Sequence, residues 1–156
     1  MSENPNESFY VSLLYENIRS IHNQVKNEMT VYASKQGLTY PSFLILSCIN
    51  KQVVTNQSGI CKHSNLKKHT VSRQMKSLEQ KKFISRRIDE SDKKQLKVSL
   101  THCGTIVIEN LLDYQQEMLE IFLSQLNESD VVSIVERLAK VTGIQTPIQS
   151  NKNART

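Results

Sequence analysis

Between positions 68 and 82 the chain carries the side chains best suited to chemistry on a polyanion. Val71, Met75 and Leu78 recur at i, i+4 and i+7, and at 100° per residue they fall within about 60° of one another on a helix. The opposite side of that helix carries His69, Arg73, Lys76, Ser77 and Gln80, with Thr70 at its edge. It gathers donors, long cations and hydroxyls and holds no large apolar residue. An α-helix fits the major groove of duplex DNA, and such side chains reach both base edges and phosphates. Arg73 is the candidate for a specific base contact, because a guanidinium pairs bidentately with guanine. Thr70 and Ser72 stand in the first turn, where free N–H groups and the helix dipole favour a phosphate. Lys68, His69, Thr70, Ser72, Arg73, Lys76 and Ser77 are therefore the expected groove-lining set. The plainer alternative is a solvated surface helix.

A second cationic group follows. Ile84, Arg86 and Ile88 lead into the polar run Asp89-Glu90-Ser91-Asp92-Lys93-Lys94, after which Leu96, Val98 and Leu100 alternate with Lys97 and Ser99. Period-two alternation around a charged tip predicts a two-stranded β-hairpin. Lys93 and Lys94 at the tip are placed to enter a minor groove, where width and negative potential are read rather than base identity. Asp92 is alternatively an ion-pair partner that orients one of them. Arg86 and Arg87, at the hairpin base, are expected on phosphates or on structural carboxylates.

These groups need a frame. Leu14, Ile18, Ile21, Val25, Met29 and Tyr32 recur at steps of three and four, which predicts a long amphipathic helix from Phe9 to Lys35, ended by Gly37. Thr39 is a cap, with Pro41 in the first turn, for a short and very apolar second helix that should be buried on most sides. A weak third helix over 57–64, poor in apolar positions and containing Gly59, precedes the turn Asn65-Leu66-Lys67. Two short helices joined by a tight turn make a helix-turn-helix, and the hairpin after them is a wing. A fifth helix is predicted over about 105–124, with Thr101 as a cap before it. Asn127 caps a sixth, which carries Val131, Ile134, Val135, Leu138 and Val141 and stops at Gly143. Residues 1–8 and 143–156 are expected to be flexible tails.

Charge placement agrees with the polyanion reading. The 156 residues carry a net charge of +5. Between positions 62 and 97 twelve Lys and Arg stand against four Asp and Glu, whereas the remainder holds three more acidic than basic residues. A basic middle between acidic flanks is the electrostatic footprint of phosphate binding. There is no run of about 18 apolar residues to span a membrane and no secretory signal, so a cytoplasmic protein with reduced thiols is expected. Cys48, Cys61 and Cys103 lie in no metal-like spacing. Cys61 with His63, and His102 with Cys103, are pairs only, and two ligands do not make a site. No phosphate loop, paired-carboxylate motif or nucleophile–base constellation is present, which argues against an enzyme. No cofactor or metal is expected.

Several runs, in order, resemble the MarR (multiple antibiotic resistance regulator) family. Leu38-Thr39-Tyr40-Pro41-Ser42-Phe43-Leu44-Ile45-Leu46 is similar to its second-helix signature, and the stretch from Thr70 to Ile84 looks like its recognition helix and following strand. Arg86-Arg87-Ile88-Asp89-Glu90-Ser91-Asp92-Lys93-Lys94 resembles its wing, and Val98-Ser99-Leu100-Thr101-His102-Cys103-Gly104 its exit into the fifth helix. The resemblance implies a mainly α fold with a small β-hairpin wing. One domain over residues 9–142 would comprise dimerisation helices, 9–36 and 104–142, and a winged helix-turn-helix over 39–101. It further implies a homodimer that places two winged units in successive major grooves of a pseudo-palindrome. The function implied is regulation of transcription, usually as a repressor relieved by a small-molecule inducer or an oxidant. A twin also accounts for the apolar stripes of the first and last helices, which one small winged domain could not cover.

The chain departs from the family in three places. Asp92-Lys93-Lys94 stands where an acidic residue and two arginines are usual, so the tip lacks the guanidinium fork. Lys82 replaces the usual glycine, so the recognition helix is expected to end without a left-handed cap. Ser64 replaces a usual leucine, which with Gly59 leaves the third helix short of apolar anchors. The family's zinc ligands and its peroxide-sensing cysteine near the start of the first helix are not recognisable, and the sequence names no ligand-binding residues. A different class, a winged-helix module that uses its basic face on an acidic protein without binding DNA, predicts no salt-dependent duplex binding.

Overall fold

The computed structural model describes residues 5–51, 56–88 and 96–144, with the backbone alone for 5–8 and 96. Six helices and one hairpin follow in order: α1 (Pro5–Lys35), α2 (Tyr40–Asn50), α3 (Gln57–Ser64), α4 (Lys68–Gln80), β1 (Ile84–Ile88), β2 (Leu96–Leu100), α5 (His102–Leu123) and α6 (Glu128–Thr142). The mainly α fold with a small β wing is therefore present. By its contacts the chain falls into two compact units, one ending at Gln116 and one beginning at Glu117.

The first unit is built around α2, which packs against α1, α3, α4 and β2. Its apolar run leaves Phe43, Ile45, Leu46 and Ile49 buried, as the composition of that helix required. Around them close Met29 and Ala33 of α1, Ile60 of α3, Val71, Met75 and Leu78 of α4, Ile84 of β1, Val98 of β2, and Ile108 and Leu111 of α5. Each large side chain contributes about 1.5–3 kcal/mol by leaving water. Farther along α1 and α5, the rings of Tyr32 and Tyr114 stack at 3.8 Å and 5°. Tyr114 Oη also donates to Glu28 Oε2 at 3.4 Å.

Local chemistry sets the element ends. Thr39 Oγ1 accepts from Ser42 N–H to cap α2, with Pro41 in the first turn. Gly37, at φ +68°, turns the chain out of α1. The third helix is better formed than its composition suggests: Asn56 Oδ1 caps it by accepting from Gly59 N–H at 2.9 Å, and Ile60 is fully buried. One apolar anchor and a good cap suffice for two turns held by tertiary packing. Helix α1 begins at Pro5 rather than Phe9, so residues 5–8 are helical where a flexible tail was expected. Residues 1–4 and 145–156 lie outside the described residues.

The hairpin pairs antiparallel, with Ile84 opposite Leu100, Arg86 opposite Val98 and Ile88 opposite Leu96. Thr101 closes its base, its N–H donating to Phe83 O at 3.0 Å and its Oγ1 to Lys82 O at 2.6 Å. Thr101 Oγ1 also accepts from Gly104 N–H. A Cβ on Gly104 would lie 1.9 Å from Phe83 O, so only glycine fits there.

In the second unit the chain leaves α5 through a turn in which Leu126 N–H donates to Leu123 O. Asn127 Oδ1 caps α6 by accepting from Asp130 N–H, and Gly143, at φ +69°, ends it. Met118 and Ala139 are the buried apolar side chains of this unit among the described residues, while Ile121, Phe122, Ile134, Val135, Leu138 and Val141 remain exposed.

Candidate nucleic-acid interface

Helix α4 is held at its inner face and at both ends. Val71, Met75 and Leu78 are each no more than 1% exposed. At its start, Asn65 adopts the left-handed conformation, φ 54°, which asparagine tolerates better than most residues. That single residue turns the chain sharply from α3 into α4.

The far end departs from the expectation drawn from Lys82. This lysine itself adopts the left-handed conformation, φ 59°. Its N–H donates to Glu79 O and that of Phe83 donates to Leu78 O, both at 2.9 Å. This is a Schellman stop, normally made by glycine. Lysine bears the steric cost because Thr101 and Gly104 fasten the following residues in place. Beside it, Lys81 Nζ donates to the Gly37 carbonyl and so ties the end of α4 to the α1–α2 turn.

The outer face is open. Lys68, His69, Ser72, Arg73 and Lys76 are exposed, and Thr70 and Ser77 are half-buried at its margins. Its first turn has no acidic residue and no capping side-chain hydrogen bond, in contrast to α2, α3 and α6, which Thr39, Asn56 and Asn127 cap. The leading N–H groups of α4 are thus left for an outside acceptor. The expected groove-lining residues lie together on one helix surface.

The hairpin residues divide. Arg87 is exposed, whereas Arg86 is half-buried and its Nη2 lies 3.2 Å from Glu79 Oε2 of α4. Of the two expectations for Arg86, phosphate or structural carboxylate, the geometry provides the carboxylate. Lys93 and Lys94 lie outside the described residues.

Reading the sequence overlooked Gln74. It is 8% exposed, and its Oε1 accepts from Ser42 Oγ at 2.7 Å and Thr39 Oγ1 at 3.0 Å. The available signal was its place on the helical wheel, one step beyond Leu78 on the buried side. A cleft of about 800 Å³ lies in the first unit, lined by residues the sequence did not single out for ligand binding. Its wall runs from His22 and Lys26 of α1 past Leu38 and Thr39 to Tyr40 and Leu44 of α2.

Cys48 and Cys61 are half-buried and Cys103 is exposed; all three are free thiols. Burial pushes the Cys48 thiol up, and nearby Lys51 partly offsets this. Among the described residues no three His, Cys, Asp or Glu side chains gather as a metal set. No described helix is long and apolar enough to cross a membrane.

Comparison with known proteins agrees with this geometry. Residues 38–96 match the model of the MarR family. The HTH-type transcriptional repressor MdtR of Bacillus subtilis is 26% identical over 124 residues, 80% of each chain. The HTH-type transcriptional regulator SarZ of Staphylococcus epidermidis is 26% identical over 115 residues, 74% of this chain and 76% of SarZ. Among solved structures, apo MarR of E. coli superposes with a TM-score of 0.71 at 20% identity, covering 83% of this chain and 96% of MarR. The S. aureus MepR–DNA complex gives 0.70 at 24% identity, with the same coverage.

Proposed function

We propose that this chain, whose residues 38–96 match the MarR family model, is a transcriptional regulator of that family that binds specific duplex DNA as a homodimer. The observation that carries the reading is the two-sidedness of α4. One side is sealed in the core, and the other presents Arg73, Lys76 and His69 to solvent above an uncapped first turn. Arg73 reads a base edge, and Lys68, Thr70, Ser72, Lys76 and Ser77 hold phosphates or neighbouring edges. Arg87, with Lys93 and Lys94, adds cationic contact from the wing. Arg86 braces β1 against α4. A protein reading promoters in this way works in the cytoplasm.

The homodimer rests on uncovered apolar surface. In the first unit Phe9, Leu13, Leu14, Ile18 and Ile21 of α1 are each at least 45% exposed, and in the second Ile134, Val135, Leu138 and Val141 of α6 are exposed. A solitary chain would leave this surface in water; a second copy buries it. Repression is favoured because a relative matched over most of its length, MdtR, is named a repressor. A regulator also needs an input. The cleft bounded by His22 and Lys26 at one side and by Leu38 and Leu44 at another suits a small anion with an apolar body.

The test is selection of bound duplexes from a random pool, followed by fluorescence anisotropy across a salt series. Nanomolar to micromolar affinity that falls steeply with salt, with half-site centres about 34 Å apart, supports the reading. Absence of salt-dependent duplex binding overturns it in favour of a protein-binding module. Sedimentation equilibrium settles the dimer, and transcription in vitro from a selected site settles repression.

A further inference from the structure

Ser42 and Gln74, the two buried polar side chains among the described residues, are bonded to one another. One oxygen on the inner side of α4, Gln74 Oε1, is held by two hydroxyls from the start of α2. Thr39 serves twice, since its Oγ1 also caps α2 through Ser42 N–H at 3.2 Å. The rest of the inner face is Val71, Met75 and Leu78. Their attraction to the core is non-directional; it keeps α4 docked, and close packing limits its movement without selecting one angle as a hydrogen bond does. A hydrogen bond weakens steeply as its geometry departs from the optimum. Gln74 therefore supplies the directional restraint on the inner face of α4, where Lys81 and Glu79 act only near its end. Arg73 precedes it in the chain and stands on the exposed side. A bidentate contact to a base edge tolerates little error in aim.

We propose that Gln74 is a positioning residue for DNA reading: bonded to Ser42 and Thr39, it sets the rotation of α4 and hence the aim of Arg73. It touches no DNA itself. The inference rests on the DNA-reading function proposed above and names a residue that determines its specificity.

The experiment compares affinity for a duplex selected by the unsubstituted chain with affinity for a scrambled duplex, at fixed salt, by fluorescence anisotropy. Gln74→Met keeps the side-chain volume and removes the acceptor. The preference for the selected duplex should fall about fivefold, the low end of what a bidentate base contact discriminates. The salt dependence, which reports phosphate contacts, should stay unchanged. Thr39→Val, isosteric without the hydroxyl, should lower the preference in the same direction, while Thr39→Ser, which keeps it, should retain the original value. A merely structural role would lower thermal stability and leave the preference intact. Preference held within twofold in both Gln74→Met and Thr39→Val overturns the proposal, as does equal loss in Thr39→Val and Thr39→Ser. If Gln74→Met lacks the helical circular dichroism of the folded chain, the two Thr39 variants decide alone. If the unsubstituted chain prefers no duplex, the DNA-reading proposal falls and this one with it; unchanged preference confined to the variants removes only the role of Gln74.

Discussion

Arg86 on β1 reaches back to Glu79 on α4, with Nη2 3.2 Å from Oε2, and its buried Nε has no hydrogen-bond partner among the described residues. Arg73, on the same helix as Glu79, is exposed, and no ion pair involving it is found among the described residues. Two arginines in one small motif thus have different surroundings, and their substitutions should separate. Arg73→Ala is expected to cost about 1–3 kcal/mol on a selected duplex and to leave stability within about 0.5 kcal/mol. Arg86→Ala should show the reverse: about 1 kcal/mol of stability lost, through packing more than charge, with the preference for the selected duplex kept. Urea denaturation and anisotropy titrations on both variants check this. Equal losses on selected and random duplexes for Arg73→Ala would remove it from base reading.

Lys82 occupies a backbone region in which a Cβ is disfavoured, at φ 59°. Lys82→Gly relieves that strain at some cost in unfolded-chain entropy. The net expectation is a gain of about 0.5–1 kcal/mol, seen as a rise of about 1–4 °C in Tm. A fall in Tm would mean that the lysine stem contributes contacts worth more than the strain.

Gly104→Ala should behave oppositely. The added methyl meets the Phe83 carbonyl, a backbone atom that Thr101 also holds. Relief requires moving the start of α5 away from the hairpin base, at about 1–3 kcal/mol or more. Urea unfolding of the variant measures it, and a change below about 0.5 kcal/mol would show that the base yields easily.

The Cys48 thiol titrates above the ordinary thiol value because burial disfavours its thiolate. At any pH near 8 it therefore holds less thiolate than a free thiol, and its reaction with iodoacetamide should be correspondingly slow. Cys103, which is exposed, should be labelled first. Peptide mass spectrometry over a time course reads the order, and prior labelling of Cys48 would contradict it.

What could be read from the residues, and what could not, divides by range. The spacing of Val71, Met75 and Leu78 located the inner face of α4, since a helical period is a local property. Thr39, Asn127 and Gly143 located helix ends for the same reason, each acting within a few residues of itself. Gln74 escaped notice because its partner Ser42 lies 32 residues away and only the fold brings the two together. Lys82 was misjudged because its left-handed stop is secured from Thr101, 19 residues on. Arg86 had two readings until the strand placed it beside Glu79. The cleft beside Lys26 likewise exists only once α1 and α2 are packed.

The clasp that Thr101 and Gly104 make on Lys82 and Phe83 separates the hairpin's root from its apex. Strand residues Ile84 and Leu100 are paired beside an already fastened junction, so the root of the hairpin is held from the α5 side as well as by strand pairing. If α4 reads DNA as proposed, a substitution at that root would disturb the aim of Arg73 more than one farther out along the strands.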